Sequence, residues 1–471
     1  MRENGKYVPQ FHLMPPGGWL NDPNGLCQLG GVHHIFFQYT PDDPRGGDKY
    51  WGHYETKDYV QYRYTGIFLR PDCRADQNGV FSGSAYVENN EMFLYYTGNV
   101  EKDGEYDYVY SGREGNTILV TSADGIHAST KEWLLHDEDY PDTLSNHVRD
   151  PKVFCENGIY YMVLGARTKK DEGCVMLYTS DDKRNWKFDH FIRKADFGYM
   201  WECPDLFRLG EEQYLSLSPQ GLQSEEFRYQ NIYQSGYFRA TADLIKNGDG
   251  LGDFTEWDYG FDFYAPQTYA DEAGRRILIG WMGVPDAVYD HDPTIAQGWQ
   301  HMLTIPRELS VCQKTKRILQ NPIREMEALR KEEICSADGI SLSDPIRLPG
   351  CYEMLLSGFG NEDFRIIFDE GFVLSYDVGN QVLCFRFTEE TLGYGRTERK
   401  IRLLPKERIT DMRILADTCC MEIYINGGAY VFTTKLFPAP DKERTVQLSQ
   451  GTSKVSVYAL SGVAIEKVSC T

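Results

Sequence analysis

The sequence predicts an all-β protein, a five-bladed β-propeller followed by a C-terminal β-sandwich, and three observations lead to that reading. Tyr (32) and Phe (24) are abundant in a chain that is 41% hydrophobic, a composition that favours sheets over helices and supplies a sizeable core. A polar or acidic motif with Pro or Gly recurs five times, each copy followed by aromatic-rich strands. The last third of the chain changes to period-two stretches of another texture, and 471 residues exceed the usual reach of one hydrophobic core.

The recurrent motif reads NDPNG at 21–25 before HHIFFQY, FSGSAY at 81–86 before MFLYYTG, and RDPKVF at 149–154 before IYYMVLG. It continues as ECPDLF at 202–207 before QYLSLSPQ and YAPQTY at 264–269 before RRILIGWMG. Successive copies lie roughly 50 to 70 residues apart, slightly more than common propeller repeats. One antiparallel sheet cannot bury both faces alone, so such units stack radially against their neighbours. Pro, Gly, Asn and Asp make good turns, and each copy is read as a turn leading into its strands. With the motifs on the innermost strands, Asp22, Asp150 and Glu202 converge on one axial funnel.

The propeller is expected over residues 1–320. Asn321 followed by Pro322 reads as a helix N-cap and first position, and Ile323, Met326 and Leu329 share one side of a short helix ending near Ile334. This predicts a linker helix within 321–338. The sandwich is expected over 339–471, where FRIIFDEGFVLSYD, QVLCFRF, MEIYINGG, AYVFTTKLF and KVSVYAL alternate with period two and Asn426-Gly427 signals a hairpin.

A net charge of −21 repels nucleic acid and anionic membrane surfaces, and no Lys/Arg-rich run makes a local exception. A few basic side chains in a pocket can still reverse the local potential, so a phosphorylated substrate stays open. The N-terminal MRENGKYVPQFHLMPPGGW has no apolar stretch of signal-peptide length, and no run of about 18 apolar residues occurs, so the expected location is the cytoplasm. Twelve Cys without zinc-like CxxC pairs read as reduced, mostly buried thiols. His33 and His34, neighbours on a strand, point to opposite faces, one to the core and one to solvent, so no metal and no cofactor is expected. Oligomeric state has no signature in the sequence.

Cleaving a ketoside bond takes a group that protonates the departing oxygen and, with retention, a carboxylate that traps the oxocarbenium-like centre. In Trp19-Leu20-Asn21-Asp22-Pro23-Asn24-Gly25, Pro and Gly force a tight turn that aims Asp22 into a cavity with Trp19 as apolar wall. In Trp201-Glu202-Cys203-Pro204-Asp205 a carboxyl between an aromatic and a thiol is partly desolvated, which keeps a proton available. In Arg149-Asp150-Pro151 the adjacent guanidinium is expected to hold Asp150 ionised, suited to accepting bonds from sugar hydroxyls. Taken singly, each of these motifs is also ordinary turn or surface chemistry.

Together, WLNDPNG, FSGS, RDP and WECPD, in that order and spacing, resemble the signature of glycoside hydrolase family 32, the invertase, inulinase and sucrose-6-phosphate hydrolase family. The resemblance spans nearly the whole chain: MRILADTCCMEIYINGG is similar to a segment of the family's C-terminal sandwich, and SPQGL, GFDFYAPQTY and IPREL are closest to the bacterial sucrose-6-phosphate hydrolase branch. It implies a β-fructofuranosidase with Asp22 as nucleophile, Glu202 as general acid/base and Asp150 as transition-state stabiliser. It also implies that Trp19, Leu20, Asn21, Gln38, Trp51, Phe81, Ser82, Arg149, Tyr264 and Trp281 bind a small sugar such as sucrose, sucrose 6-phosphate or a short fructan. Phe81 stands where many relatives carry Trp, and Cys203 is expected to tune Glu202. DYVQYRYTGIF at 58–68 departs from the family pattern, which leaves leaving-group specificity open. An exo-acting inulinase or levanase, a fructosyltransferase and a non-catalytic sugar-binding propeller remain as alternatives.

Overall fold

Each of the five motif copies opens an antiparallel sheet, and the five sheets follow one another along the chain. Their first strands are β1 (Gly18–Leu29), β2 (Val80–Glu88), β3 (Leu144–Glu156), β4 (Met200–Leu209) and β5 (Tyr264–Ala270). β1 touches β2, β2 touches β3, β3 touches β4, β4 touches β5, and β5 returns to β1. The first strands therefore close a ring. The computed structural model describes residues 5–289, 292–338, 342–439, 441–449 and 454–468.

The motifs are not turns. Each lies inside its strand, at a place where two residues stand opposite one on the neighbour. Asn21 and Asp22 fall between the pairs Leu20–Tyr39 and Pro23–Phe37, and Phe81 and Ser82 between Val80–Gly98 and Gly83–Tyr96. Asp150-Pro151, Cys203-Pro204 and Ala265-Pro266 occupy the same place in β3, β4 and β5. A β-bulge interrupts the ladder, so Pro, which has no N–H to give it, is tolerated there. The extra residue also kinks the strand and re-aims its side chains. Asp150, Cys203 and Ala265 accordingly take left-handed φ values of 64°, 48° and 47°. Pro and Gly thus serve a mid-strand bulge and not the tight turn predicted for NDPNG.

Two six-stranded antiparallel sheets make up the rest and share one apolar core that includes Phe364, Leu374, Phe385, Ile414, Ile423 and Phe432. Asn426 and Gly427, with φ of 54° and 62°, begin the short connection between strands Cys420–Ile425 and Tyr430–Lys435. The helix expected over 321–338 is absent. Ile318–Pro322 is the last strand of the fifth sheet, Arg324–Leu329 is a single 3-10 segment, and Arg330–Asp338 is already a strand of the second part. Pro322 disfavours a helical conformation for Asn321, which instead pairs with Glu308. Ile323, Met326 and Leu329 are buried, yet the apolar spacing stops at Leu329 and Arg330 turns to an ion pair with Glu353. The expected boundary at 338/339 falls beside 339–341, outside the described residues.

The two parts are joined by buried charge. Arg307, fully buried, donates to Asp258, Glu422, Gln320 and Thr433. His12 lies between Asp417 and Glu422; burial opposes its charge, but the two carboxylates prevail and lift its pKa to about 9. The strand Ala464–Lys467 returns to pair in parallel with Gln61–Leu69, the fourth strand of the first sheet, which contains most of the divergent segment 58–68. His33 and His34 are both buried, bonded to Tyr59 and Tyr269 and to His53 respectively, so neither faces solvent as predicted. Both faces of this strand are covered, by the fifth sheet on one side and by the 122–127 turn on the other. The eleven described cysteines are free thiols, and no helix among the described residues is long and apolar enough to cross a membrane.

Candidate active site

Hydrogen bonds connect the bulges of neighbouring sheets, and that is how residues far apart in sequence come to share one site. Ser82 Oγ of β2 donates to Asp22 Oδ2 of β1, and Asn21 Nδ2 donates to Asp22 Oδ1 at 3.1 Å. The Cys203 backbone N–H of β4 donates to Asp150 Oδ2 of β3 at 2.9 Å, and Cys203 Sγ lies 3.9 Å from Asp22 Oδ2. Arg149 donates through Nε and Nη2 to Glu202 Oε1 at 3.1 and 2.9 Å. Tyr264 Oη and Gln220 Nε2 donate to Glu202 Oε2 at 2.6 and 2.7 Å. The three acids and their donors therefore form one polar cluster across all five first strands.

The cluster is electrostatically loaded. Burial raises the pKa of Asp22, and the nearby Glu202 raises it further, against the donors Ser82 and Asn21 and the cation Lys49. Asp150 is pushed up to about 7, chiefly by burial and also by Glu202 and Asp22, while Arg149 and the Cys203 N–H pull the other way. The expectation that Arg149 holds Asp150 ionised is thereby corrected. The bulge turns the two side chains apart, and the guanidinium spends its donors on Glu202 and on His147 Nδ1 at 2.8 Å. Glu202 is largely withdrawn from solvent, as expected, but its partners are polar: Trp201 turns into a core with Phe197 and Phe238, Cys203 Sγ stays in the cluster near Asp22, and Arg149, Tyr264 and Gln220 donate to the Glu202 carboxylate.

Trp19, Asn21 and Gln38 are brought together: Trp19 Nε1 donates to Asn21 Oδ1 at 3.1 Å, and Asn21 Nδ2 donates to Gln38 Oε1 at 2.6 Å. Phe81 is partly exposed beside Ser82, and Trp281 packs against Trp19 and Tyr264. Two expected sugar contacts do not reach the surface. Leu20 and Trp51 are 0% exposed. Trp51 packs with Phe36 and Tyr96, and its indole N–H supports the Phe81 carbonyl from behind. Leu20 packs into the apolar core shared by the first and fifth sheets.

Four partners were not predicted in this role. Gln220 stands opposite Met200 across the hairpin, diagonal to Glu202, and the short Gly210-Glu211 connection gave the signal for that register. Thr97 accepts the Asp150 N–H, His147 accepts from Arg149, and Lys49 lies 5.3 Å over the Trp19 ring. Asp205 of the WECPD motif is structural. It accepts from Thr268 N and Oγ1 of β5 at 2.8 Å each and pairs with Lys152 of β3 at 3.4 Å.

The Asp150 shift has a stability consequence. Its carboxyl titrates near 3.8 unfolded and near 7 folded, so the native state binds the extra proton and stability falls as pH rises through that window. A rise of about three units corresponds to on the order of 4 kcal/mol above pH 7. Asp150→Asn is therefore expected to raise the thermal midpoint by several degrees at pH 8 and to change it little at pH 4. Differential scanning fluorimetry of both proteins at both pH values checks this, and equal effects at the two pH values would contradict it.

A ring of five sheets that brings carboxylates of different strands into one polar cluster supplies the paired acids that glycoside cleavage requires, and the class of protein it suits is a glycoside hydrolase. Residues 12–322 match the Glycosyl hydrolases family 32 N-terminal domain and residues 360–464 the Glycosyl hydrolases family 32 C terminal, so the chain belongs to family 32. It is 38% identical to a sucrose-6-phosphate hydrolase of Bacillus subtilis (strain 168), over 95% of this chain and 92% of the relative. It is 35% identical to a sucrose-6-phosphate hydrolase of Vibrio alginolyticus, over 98% and 92%. Among solved structures it superposes on the Bombyx mori GH32 beta-fructofuranosidase with a TM-score of 0.86 and 29% identity, covering 98% of this chain and 95% of that one. The sucrose-6-phosphate hydrolase from Lactobacillus gasseri gives a TM-score of 0.86 at 26% identity, covering 97% and 94%.

Proposed function

We propose that this enzyme is a retaining β-fructofuranosidase that releases fructose from sucrose and sucrose 6-phosphate, and the observation that carries the proposal is the bonded cluster of Asp22, Asp150 and Glu202. Asp22, fixed by Ser82 and Asn21, attacks the anomeric carbon of the fructosyl unit while Glu202 protonates the glycosidic oxygen. Glu202 then acts as base, takes a proton from water and lets its oxygen displace Asp22, which restores both carboxyls and retains the configuration. Asp150 accepts fructose hydroxyls, whose bonds strengthen as positive charge develops on the ring. Trp19, Asn21, Gln38, Phe81, Ser82, Arg149, Tyr264 and Trp281 line the fructose pocket in this reading.

Two relatives named sucrose-6-phosphate hydrolase support the phosphorylated substrate. Arg113 and Arg167 join Arg149 around His147, next to Glu202, where burial and these three cations hold the imidazole down to about 2. Each arginine is paired with a carboxylate, Glu101, Asp171 and Glu202 respectively, so a phosphate on the leaving group would have to compete with these partners. The five sheets whose first strands form the ring are read as five propeller blades and the last two sheets as the sandwich. Free thiols suit a reducing cytoplasm.

Initial rates on sucrose, sucrose 6-phosphate and an inulin-type fructan, with NMR of the first anomer released, test the reading. The expected result is β-fructose first and the highest kcat/KM on sucrose 6-phosphate. Release of the α-anomer or no release refutes the mechanism, a fructan preference indicates an exo-inulinase, and oligosaccharide products at high sucrose indicate a transferase.

A further inference from the structure

One lysine of the C-terminal part reaches toward the catalytic cluster. Lys435 closes the strand Tyr430–Lys435, is 1% exposed, and places its ammonium 2.6 Å from His301 Nδ1 while also contacting Asp292 Oδ2. An ammonium can only donate, so His301 accepts at Nδ1, while its Nε2 lies 3.0 Å from the side-chain amide nitrogen of Gln300. The charges balance around it: Lys435 and Arg396 face Asp262 and Asp292, all four buried.

Strand register explains the position of His301. Trp299 and Gln300 pair in parallel with Gly18 and Trp19, whereas Met302 and Leu303 pair with Met282 and Trp281. His301 is the residue between these two ladders, and it takes a φ of 69° to make the step, a conformation that side chains other than Gly adopt at a cost. Its ring is wedged edge-on against Trp19, at 4.3 Å and 86°, and against Trp281, at 5.0 Å and 88°. From each indole a path leads to a catalytic carboxylate. Trp19 Nε1 donates to Asn21, whose amide donates to Asp22. Trp281 packs at 6.3 Å against Tyr264, whose hydroxyl donates to Glu202.

We propose that His301, held in place by Lys435, is a positioning residue that sets the separation of Asp22 and Glu202, so that the C-terminal sandwich is part of the working active site. The inference rests on the roles given above to Asp22 and Glu202. Nucleophilic attack and proton delivery must occur on opposite sides of one bond, and a misplacement of about 1 Å can cost on the order of 100-fold in rate. A wedge that touches the supports of both carboxylates controls that geometry without touching substrate.

The test compares full-length wild type with His301→Asn, which tolerates the left-handed backbone but removes the ring, and with Lys435→Met/Asp292→Asn, which removes the anchor while keeping the remaining Arg396–Asp262 charges balanced. Arg444→Met/Asp369→Asn removes another buried pair of the sandwich, which makes no contact with the tryptophans, and serves as control. Each is assayed on sucrose well below its own thermal midpoint. The expected result is a kcat lowered at least tenfold with KM within threefold in either folded test variant, and a wild-type kcat in the control. A folded test variant with kcat within twofold of wild type overturns the proposal, as does an equal loss in the control. Asp22→Asn in the same series separates the two readings: if it stays active the site assignment fails, and if it is inactive while His301→Asn matches wild type, only the positioning role fails.

Discussion

Asp22→Asn is expected to lower kcat on sucrose by about 10⁴-fold or more without loss of the fold, because an amide cannot form the glycosyl ester on which double displacement depends. The substitution is nearly isosteric and keeps an oxygen for Ser82 to donate to. It also removes a buried negative charge that Glu202 opposes, so the thermal midpoint should hold or rise. Loss of activity with an unchanged or higher midpoint separates a chemical role from a structural one. The raised pKa of Asp22 adds a pH signature. The nucleophile works only when ionised, so the acid limb of kcat/KM should lie above the range of an ordinary Asp, and substitution of Ser82 by Ala should move that limb higher still, since it removes a donor that favours the carboxylate. A purified Asp22→Asn enzyme whose kcat falls less than tenfold would remove Asp22 from the mechanism.

Much of this site is written in the sequence, though not as conformation. The five motif copies are visible because the first strand of each of the five sheets carries a bulge, and in four of them a Pro lies in it or beside it. The same residues read locally as turns, since Pro, Gly, Asn and Asp serve both purposes and only pairing with a neighbouring strand tells them apart. The direction of a side chain on a bulge is harder to see. Arg149 and Asp150 are adjacent in sequence, and a dipeptide reading pairs them; the bulge instead sends Arg149 to Glu202, 53 positions away. Trp51 fails for a related reason, because an aromatic two strands back from Asp22 in the same sheet can either line a pocket or support the residue that does. Ile323, Met326 and Leu329 carried a helical spacing that the chain uses for a six-residue 3-10 segment, since Pro322 belongs to a strand and Arg330 begins the next one. His301 left no readable mark, as its position comes from two-residue ladders too short to leave a period.

Glu202→Gln should be nearly as damaging on sucrose and much less so on a substrate that needs no acid. The departing sugar oxygen of sucrose requires a proton, and losing the group that delivers it costs about 10² to 10⁴-fold. Gln keeps one oxygen and the side-chain length, so Arg149 retains an acceptor at Oε1 and the pocket stays formed, while Tyr264 and Gln220 lose theirs at Oε2. β-Fructofuranosyl fluoride loses fluoride without a proton, so Asp22 can still form the ester in this variant, and the slow step becomes attack by a water that has lost its base. Azide needs no base to attack. Added azide should therefore accelerate turnover of the fluoride by Glu202→Gln and yield β-fructosyl azide, the product of two inversions, while leaving the wild-type rate unchanged. Equal losses on sucrose and the fluoride, with no azide product, would show that Glu202 holds the substrate instead of moving its proton, and the acid/base would have to be sought elsewhere in the funnel.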